Sequence, residues 1–130
     1  MTRARIVVRK AACTLEFIEG ARVETYPVAI GSNPDGADKA TEGDCRTPEG
    51  VFTIVSVEDS SGWTRDGKFA YGPAFLRLDC PPWKGIGIHG TDEPGSVGTK
   101  ASLGCVRMRN EDLARIVDRV TVGTTVEIVP

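Results

Sequence analysis

No regular apolar pattern in this sequence runs far before a glycine or proline interrupts it: fifteen glycines and eight prolines are spread along 130 residues. Between these breaks stand short runs of Val, Ile, Thr and Phe, side chains that fit a pleated, half-buried surface. Glycine and proline at that density leave little room for long helices. The chain is expected to be mostly β, with minor helix, and to form one domain over residues 1–130. A chain of this size buries roughly two thirds of its unfolded surface, so it needs no disulfide or metal to staple its core.

Sixteen Lys plus Arg stand against eighteen Asp plus Glu, a formal charge of −2, and neither sign is gathered into a run. That balance argues against nucleic acid and against an anionic membrane surface as partner. No apolar stretch approaches the ~20 residues of a membrane span. The opening residues 1–8 hold too short an apolar run for a signal peptide, so the expectation from these residues is a cytosolic protein or one whose export segment is absent from this sequence. The four cysteines, Cys13, Cys45, Cys80 and Cys105, contain no CxxC pair, and no metal site is expected from their spacing with the lone histidine.

Along the chain, residues 3–9 and 14–18 read as strands, and a Glu19-Gly20 turn leads into a third over 22–26 that continues through 28–31. Asn33, Pro34, Asp35 and Gly36 open a segment, 33–50, expected to be mostly loop. Residues 51–57 form the strongest strand signal, with both faces expected to be largely buried. Shorter strands follow at 74–78 and 85–89, then a glycine-rich connection over 90–103, and a last strand at 124–129. One segment has helical period: Asn110 is placed to cap it, Glu111 and Asp112 suit its N-terminal end, and Leu113, Ile116, Val117 and Val120 recur at three- and four-residue spacing.

A lone cysteine is ordinarily a small buried hydrophobe, but Cys105 has a chemical context. In Ser102-Leu103-Gly104-Cys105-Val106-Arg107-Met108 a glycine precedes the thiol and an arginine follows two residues later. The glycine permits close backbone approach, the arginine adds positive potential, and successive N–H groups there could hold an oxyanion. A free thiol is only a few per cent ionised at neutral pH and needs a base beside it. His89, the only histidine, ends the strand at 85–89 and lies sixteen residues before Cys105 across a flexible connection. The pair points to acyl transfer by a cysteine nucleophile. Residues 95–100 lack the GxxxxGK[ST] spacing of a phosphate loop, which excludes that reading.

The run His89-Gly90-Thr91, Gly98, residues 102–108, Asn110 and Val122-Gly123-Thr124-Thr125-Val126-Glu127-Ile128 resembles the YkuD-type L,D-transpeptidase catalytic domain. So do the upstream pieces Tyr26-Pro27-Val28 with Gly31, Thr47-Pro48-Glu49-Gly50-Val51-Phe52-Thr53-Ile54, and Tyr71-Gly72, all in the family's order. The resemblance covers nearly the whole chain and ends in an S-x-G-C-h-R motif. It implies a β-sandwich or barrel with one short amphipathic helix after the cysteine. It also implies attack by Cys105 on a peptidoglycan stem peptide between an L-centred third residue and a terminal D-residue. The resulting thioester would pass to the amine of a neighbouring stem, cross-linking third residues.

On this resemblance His89 is the general base and acid, and the Gly90 backbone carbonyl orients it. Gly104 and Cys105 supply oxyanion N–H groups, with Ser102 and Arg107 supporting the site or its substrate. No metal or organic cofactor is implied. Carbapenem-type β-lactams are the implied inhibitors, and the implied place of action is extracytoplasmic. An L,D-carboxypeptidase, in which water resolves the thioester, and a catalytically silent module that binds wall peptides are the alternatives. One position departs from the family pattern: Leu103 stands where a second histidine is common.

Overall fold

The computed structural model describes residues 3–130. Nine strands and one helix follow in chain order: β1 (Ala4–Arg9), β2 (Thr14–Glu19), β3 (Arg22–Gly31), β4 (Gly50–Asp59), β5 (Ala74–Asp79), β6 (Gly87–His89), β7 (Lys100–Ser102), β8 (Val106–Met108), α1 (Asn110–Ile116) and β9 (Thr125–Val129). Single 3₁₀ turns stand at Pro94–Ser96 and Val117–Arg119. The strands pair in the order β2-β1-β9-β4-β5-β6-β8-β3, and β3 pairs back onto β2, which closes the sheet into a barrel. β7 adds to β3 outside that ring. Closure removes the unpaired edges that an open sheet would present.

The opening meander is local: β1 and β2 pair from Ala4↔Glu19 to Arg9↔Thr14, and β2 and β3 from Thr14↔Pro27 to Glu19↔Arg22. Three pairings are parallel, β1 with β9, β6 with β8 and β3 with β7. Inward side chains alternate along the strands and fill the barrel: Ile6 and Val8, Leu15 and Phe17, Val28 and Ile30, Leu76 and Leu78, Val126 and Ile128 are all buried. Leu113 and Ile116 of α1 are fully buried and join the same core, which also takes in Val120 beyond the helix. No helix among the described residues is long and apolar enough to cross a membrane.

Three sequence expectations change. β4 alternates as expected, yet Val51, Val55 and Val57 are exposed and only Ile54 is fully buried, because no second layer covers the barrel exterior there. The strand expected at 85–89 begins only at Gly87, since Gly85 has φ 74. The connection over 90–103 and the cysteine motif contain the three-residue strands β7 and β8, each too short to display a period of two.

The long loop from 33 to 49 is held by a buried cation. Lys10, at the end of β1 and 2% exposed, donates from Nζ to the Ala37 carbonyl at 2.9 Å, the Thr47 carbonyl at 2.7 Å and Glu49 Oε2 at 3.1 Å. Replacing it with an apolar chain leaves two carbonyls and a carboxylate without their donor. Lys10→Met is expected to lower the unfolding free energy by about 2–4 kcal/mol, read from urea denaturation. A loss below about 0.5 kcal/mol, the size of an ordinary surface change, would show that the loop holds itself by other means.

Candidate functional site

Parallel pairing of β6 with β8 aligns Ile88 with Val106 and His89 with Arg107. One step earlier the same register brings Cys105 level with Gly87. Because paired residues share a face and faces alternate along a strand, Gly87, His89, Cys105 and Arg107 all lie on one side of this pair. That side opens into a cleft of about 380 Å³ whose lining includes His89, Ser102, Leu103, Cys105 and Arg107. The histidine and cysteine that the sequence singles out, far apart in the chain, therefore face one cavity of the size small ligands occupy.

His89 is 4% exposed and is held from several directions. Its Nδ1 lies 2.5 Å from the Gly90 carbonyl oxygen. A carbonyl only accepts, so in the neutral ring Nδ1 carries the proton and Nε2 keeps its lone pair. The imidazole stacks on Phe75, with ring centres 5.5 Å apart and 8° between planes, and Tyr71 packs against it at 5.1 Å. Phe75 can lie there because residue 87 has no side chain: a Cβ on Gly87 would come within 2.5 Å of that ring. The Arg77 guanidinium sits 4.8 Å from the centre of the Phe75 ring and is itself bound by Glu58.

The Gly90 carbonyl is positioned by crowding. A Cβ on Gly90 would fall 2.1 Å from Asn110 Oδ1 and 3.0 Å from the Gly72 Cα, and Gly72 itself has φ 64. Asn110 does not cap α1 as expected. Arg109 is the N-cap residue, and Asn110 Oδ1 instead accepts from the Thr91 N–H at 2.8 Å, pinning the segment after the histidine. A similar tie holds the cysteine turn. Buried Thr47 accepts from the Gly31 N–H and donates from Oγ1 to the Gly104 carbonyl at 2.8 Å, which joins three of the sequence markers into one contact.

Ser102, 2% exposed, works inside this turn. Its Oγ donates to the Cys105 carbonyl at 2.6 Å and accepts from the Gly104 N–H at 3.1 Å. The Gly104 N–H, expected to serve an oxyanion, is thus bonded within the loop in this structure. The Cys105 thiol is partly exposed and donates to the Gly85 carbonyl at 3.3 Å. Arg107 donates from Nη1 to Ser96 Oγ at 2.9 Å, while its Nε is buried without an acceptor. Leu103 is 57% exposed on the cleft rim.

Burial dominates the proton affinities of the pair. It pushes the Cys105 thiol up, although a hydrogen bond from the Gly87 backbone and the guanidiniums of Arg77, Arg107 and Arg65 oppose it. The positive potential expected from Arg107 is present, but it does not make this an acidic thiol. Burial likewise lowers His89 to about 4, with the Gly90 carbonyl opposing and the Arg107 charge assisting. Near neutral pH both groups are therefore uncharged, a thiol and an imidazole lining the same cleft.

The sequence did not single out Phe75, the positioning contact of Asn110 with Thr91, or the cations Lys39, Arg65 and Lys84 in the cleft wall. Phe75 carries a signal only in hindsight, as the residue paired with His89 across β5 and β6 on the same face. The cations stand far apart in the chain and carry none.

Because the chain has a single histidine, its titration is directly observable. The imidazole resonances are expected to move with a midpoint near 4 and to show the proton on Nδ1. The unfolded chain binds that proton near the ordinary value of 6.5. The sign follows: His89 contributes a stability that is complete above about 6.5 and is lost as pH falls toward 4. A midpoint at 6 or above would show that the ring is solvated.

The sequence matches the YkuD family, the L,D-transpeptidase catalytic domain, over residues 3–128. The putative L,D-transpeptidase YkuD of Bacillus licheniformis is 36% identical over 127 residues, which cover 97% of this chain and 66% of that protein. L,D-transpeptidase 3 from Mycobacterium tuberculosis, solved in complex with a faropenem-derived adduct, superposes with a TM-score of 0.76 at 18% identity, over 99% of this chain and 61% of that one. The L,D-transpeptidase LdtMt1, solved in complex with imipenem, superposes with a TM-score of 0.72 at 23% identity, over 98% of this chain and 59% of that one. The chain thus spans about two thirds or less of the length of these proteins, and the two structures share its fold. Matched from its third residue to its last strand, the chain belongs to the YkuD family of L,D-transpeptidase catalytic domains.

Proposed function

We propose that this domain is a cysteine-dependent L,D-transpeptidase acting on peptidoglycan stem peptides. The observation that carries the reading is an imidazole locked by the Gly90 carbonyl and the Phe75 ring, in the same cleft as the only thiol that lines it. Sγ attacks the carbonyl between the third residue and the terminal D-residue while its proton passes to His89 Nε2. With the thiol uncharged at rest, proton transfer and S–C bond formation proceed together rather than from a stored thiolate. The oxyanion is assigned to the Cys105 N–H, since Ser102 occupies that of Gly104. The imidazolium then gives its proton to the leaving amine as the C–N bond breaks. The amine of a second stem attacks the thioester, its proton moves to His89, and the thiol is regenerated.

The Gly90 carbonyl orients the base, Ser102 shapes the turn, and Arg107, in the cleft lining, is placed to attract a substrate carboxylate. Peptidoglycan lies outside the cytoplasmic membrane, so the reaction is extracytoplasmic. The imipenem complex and the faropenem-derived adduct of the two structural neighbours extend to this chain as β-lactam acylation of Cys105.

Intact-protein mass spectrometry with a carbapenem is expected to show one added inhibitor mass that is absent in Cys105→Ala and retained when Cys13, Cys45 or Cys80 is replaced. With purified wall peptides the parent is expected to release the D-residue and form cross-linked dimers. Release without dimers would make the domain a carboxypeptidase. No release and no adduct would leave a binding module.

Leu103→His restores the family's second imidazole on the cleft rim. If His89 already supplies the proton chemistry, donor acylation is expected to change by less than about tenfold, on the order of 1.4 kcal/mol of barrier. A gain of several hundredfold would move the base to position 103.

A further inference from the structure

Two rows of cross-strand neighbours meet beside the imidazole. One runs Glu58, Phe75, His89 over β4, β5 and β6, and the next runs Ser56, Arg77, Gly87 over the same strands. With no side chain at Gly87 to block it, the Phe75 ring stacks on the imidazole at 8° from parallel. Arg77 meets the same ring, its guanidinium 4.8 Å from the ring centre. Glu58 grips that guanidinium as a fork, Oε2 accepting from Nε at 2.7 Å and Oε1 from Nη2 at 3.2 Å. The Ser56 hydroxyl donates in turn to Glu58 Oε2 at 2.6 Å. Contacts therefore run unbroken from Ser56 through Glu58, Arg77 and Phe75 to His89.

Arg77 is not in the lining of the cleft; it borders a separate hollow with Trp63, Tyr71 and Phe75. A forked ion pair fixes the plane of a guanidinium, and a planar cation against an aromatic ring holds the ring in place. The Gly90 carbonyl secures one edge of the imidazole, and the ring stacked on it sets its plane. We infer that Arg77 is a positioning residue of the proton transfer: clamped by Glu58, it holds Phe75 flat and so fixes the plane in which His89 takes up and returns a proton. The inference rests on the transpeptidase reading, which makes His89 the base, and adds to it a residue outside the cleft. The guanidinium also reaches the sulfur by its charge. Burial pushes the Cys105 thiol up, and of the three guanidiniums that oppose it Arg77 acts most strongly.

The test separates the clamp from the charge. The rate of Cys105 acylation by a carbapenem is followed by intact-protein mass spectrometry in Arg77→Met and Arg77→Lys, each alone and combined with Phe75→Leu. Arg77→Met is expected to slow acylation by about tenfold or more. Arg77→Lys keeps the charge but lacks the planar fork, and is expected to recover less than about threefold of that loss. On the Phe75→Leu background, losing Arg77 is expected to cost under about twofold, because the ring it acts through is gone. Full recovery by lysine, or equal effects with and without Phe75, overturns the inference. A parent that is not acylated counts against the transpeptidase reading, and the clamp is then decided by a second measurement.

That measurement needs no reaction. The ring protons of His89, the only imidazole in the chain, are expected to be displaced upfield by the stacked Phe75. In Arg77→Met, still folded by its cooperative melting, they are expected to move back toward their positions in the unfolded chain. Ring protons unmoved by the substitution overturn the clamp whether or not the parent reacts.

Discussion

The site depends on one parallel contact between two three-residue strands, β6 and β8. Parallel neighbours need a crossover of a dozen residues or more, and the chain supplies it with residues 90–105, which carry a 3₁₀ turn and β7 around the barrel end. The register of this contact decides which side chains meet. A slip of one residue would send Cys105 to the face opposite His89 and turn the thiol into the barrel core. The ties around it oppose such a slip: Thr47 to Gly104, Ser102 to Cys105, and Asn110 to Thr91. The first and last reach across the chain and Ser102 closes the turn from within, so the surrounding loops fix a geometry that two short strands could not.

The same burial that secures the pair sets its chemistry. Enclosure disfavours charge on either member, which raises the thiol and lowers the imidazole. A thiolate–imidazolium pair formed in advance would bring two charges into this enclosure before any substrate arrived. In the proposed reaction the neutral pair defers charge separation to the moment of attack. The cations of the cleft wall are already in place around the sulfur when that charge develops.

Much of this was legible in the residues. Glycine and proline punctuation gave the β class, apolar spacing gave the helix with Leu113 and Ile116 inward, and the order of short motifs gave the family. What escaped had physical reasons. Val51, Val55 and Val57 look buried by composition, but exposure depends on whether a second layer exists, which no local pattern records. Asn110 has the right chemistry for a cap and is drawn to Thr91 by the packing of Gly72 on Gly90. The Gly104 N–H looks free in the motif and is taken by a serine two residues earlier. The arginine near the thiol suggests acidity, but sequence does not reveal how strongly burial opposes it.

The ring of His89 is fixed on one edge by a carbonyl and stacked on one face by an aromatic, so it has little freedom to rotate. In the proposed reaction only one nitrogen can therefore take up and return protons. The departing amine of the donor and the arriving amine of the acceptor must use that same atom, one after the other. Two amines cannot share it, so the first product has to vacate its place before the second substrate can fill it. The cycle becomes an ordered exchange of the ping-pong kind, its sequence imposed by a ring that does not turn.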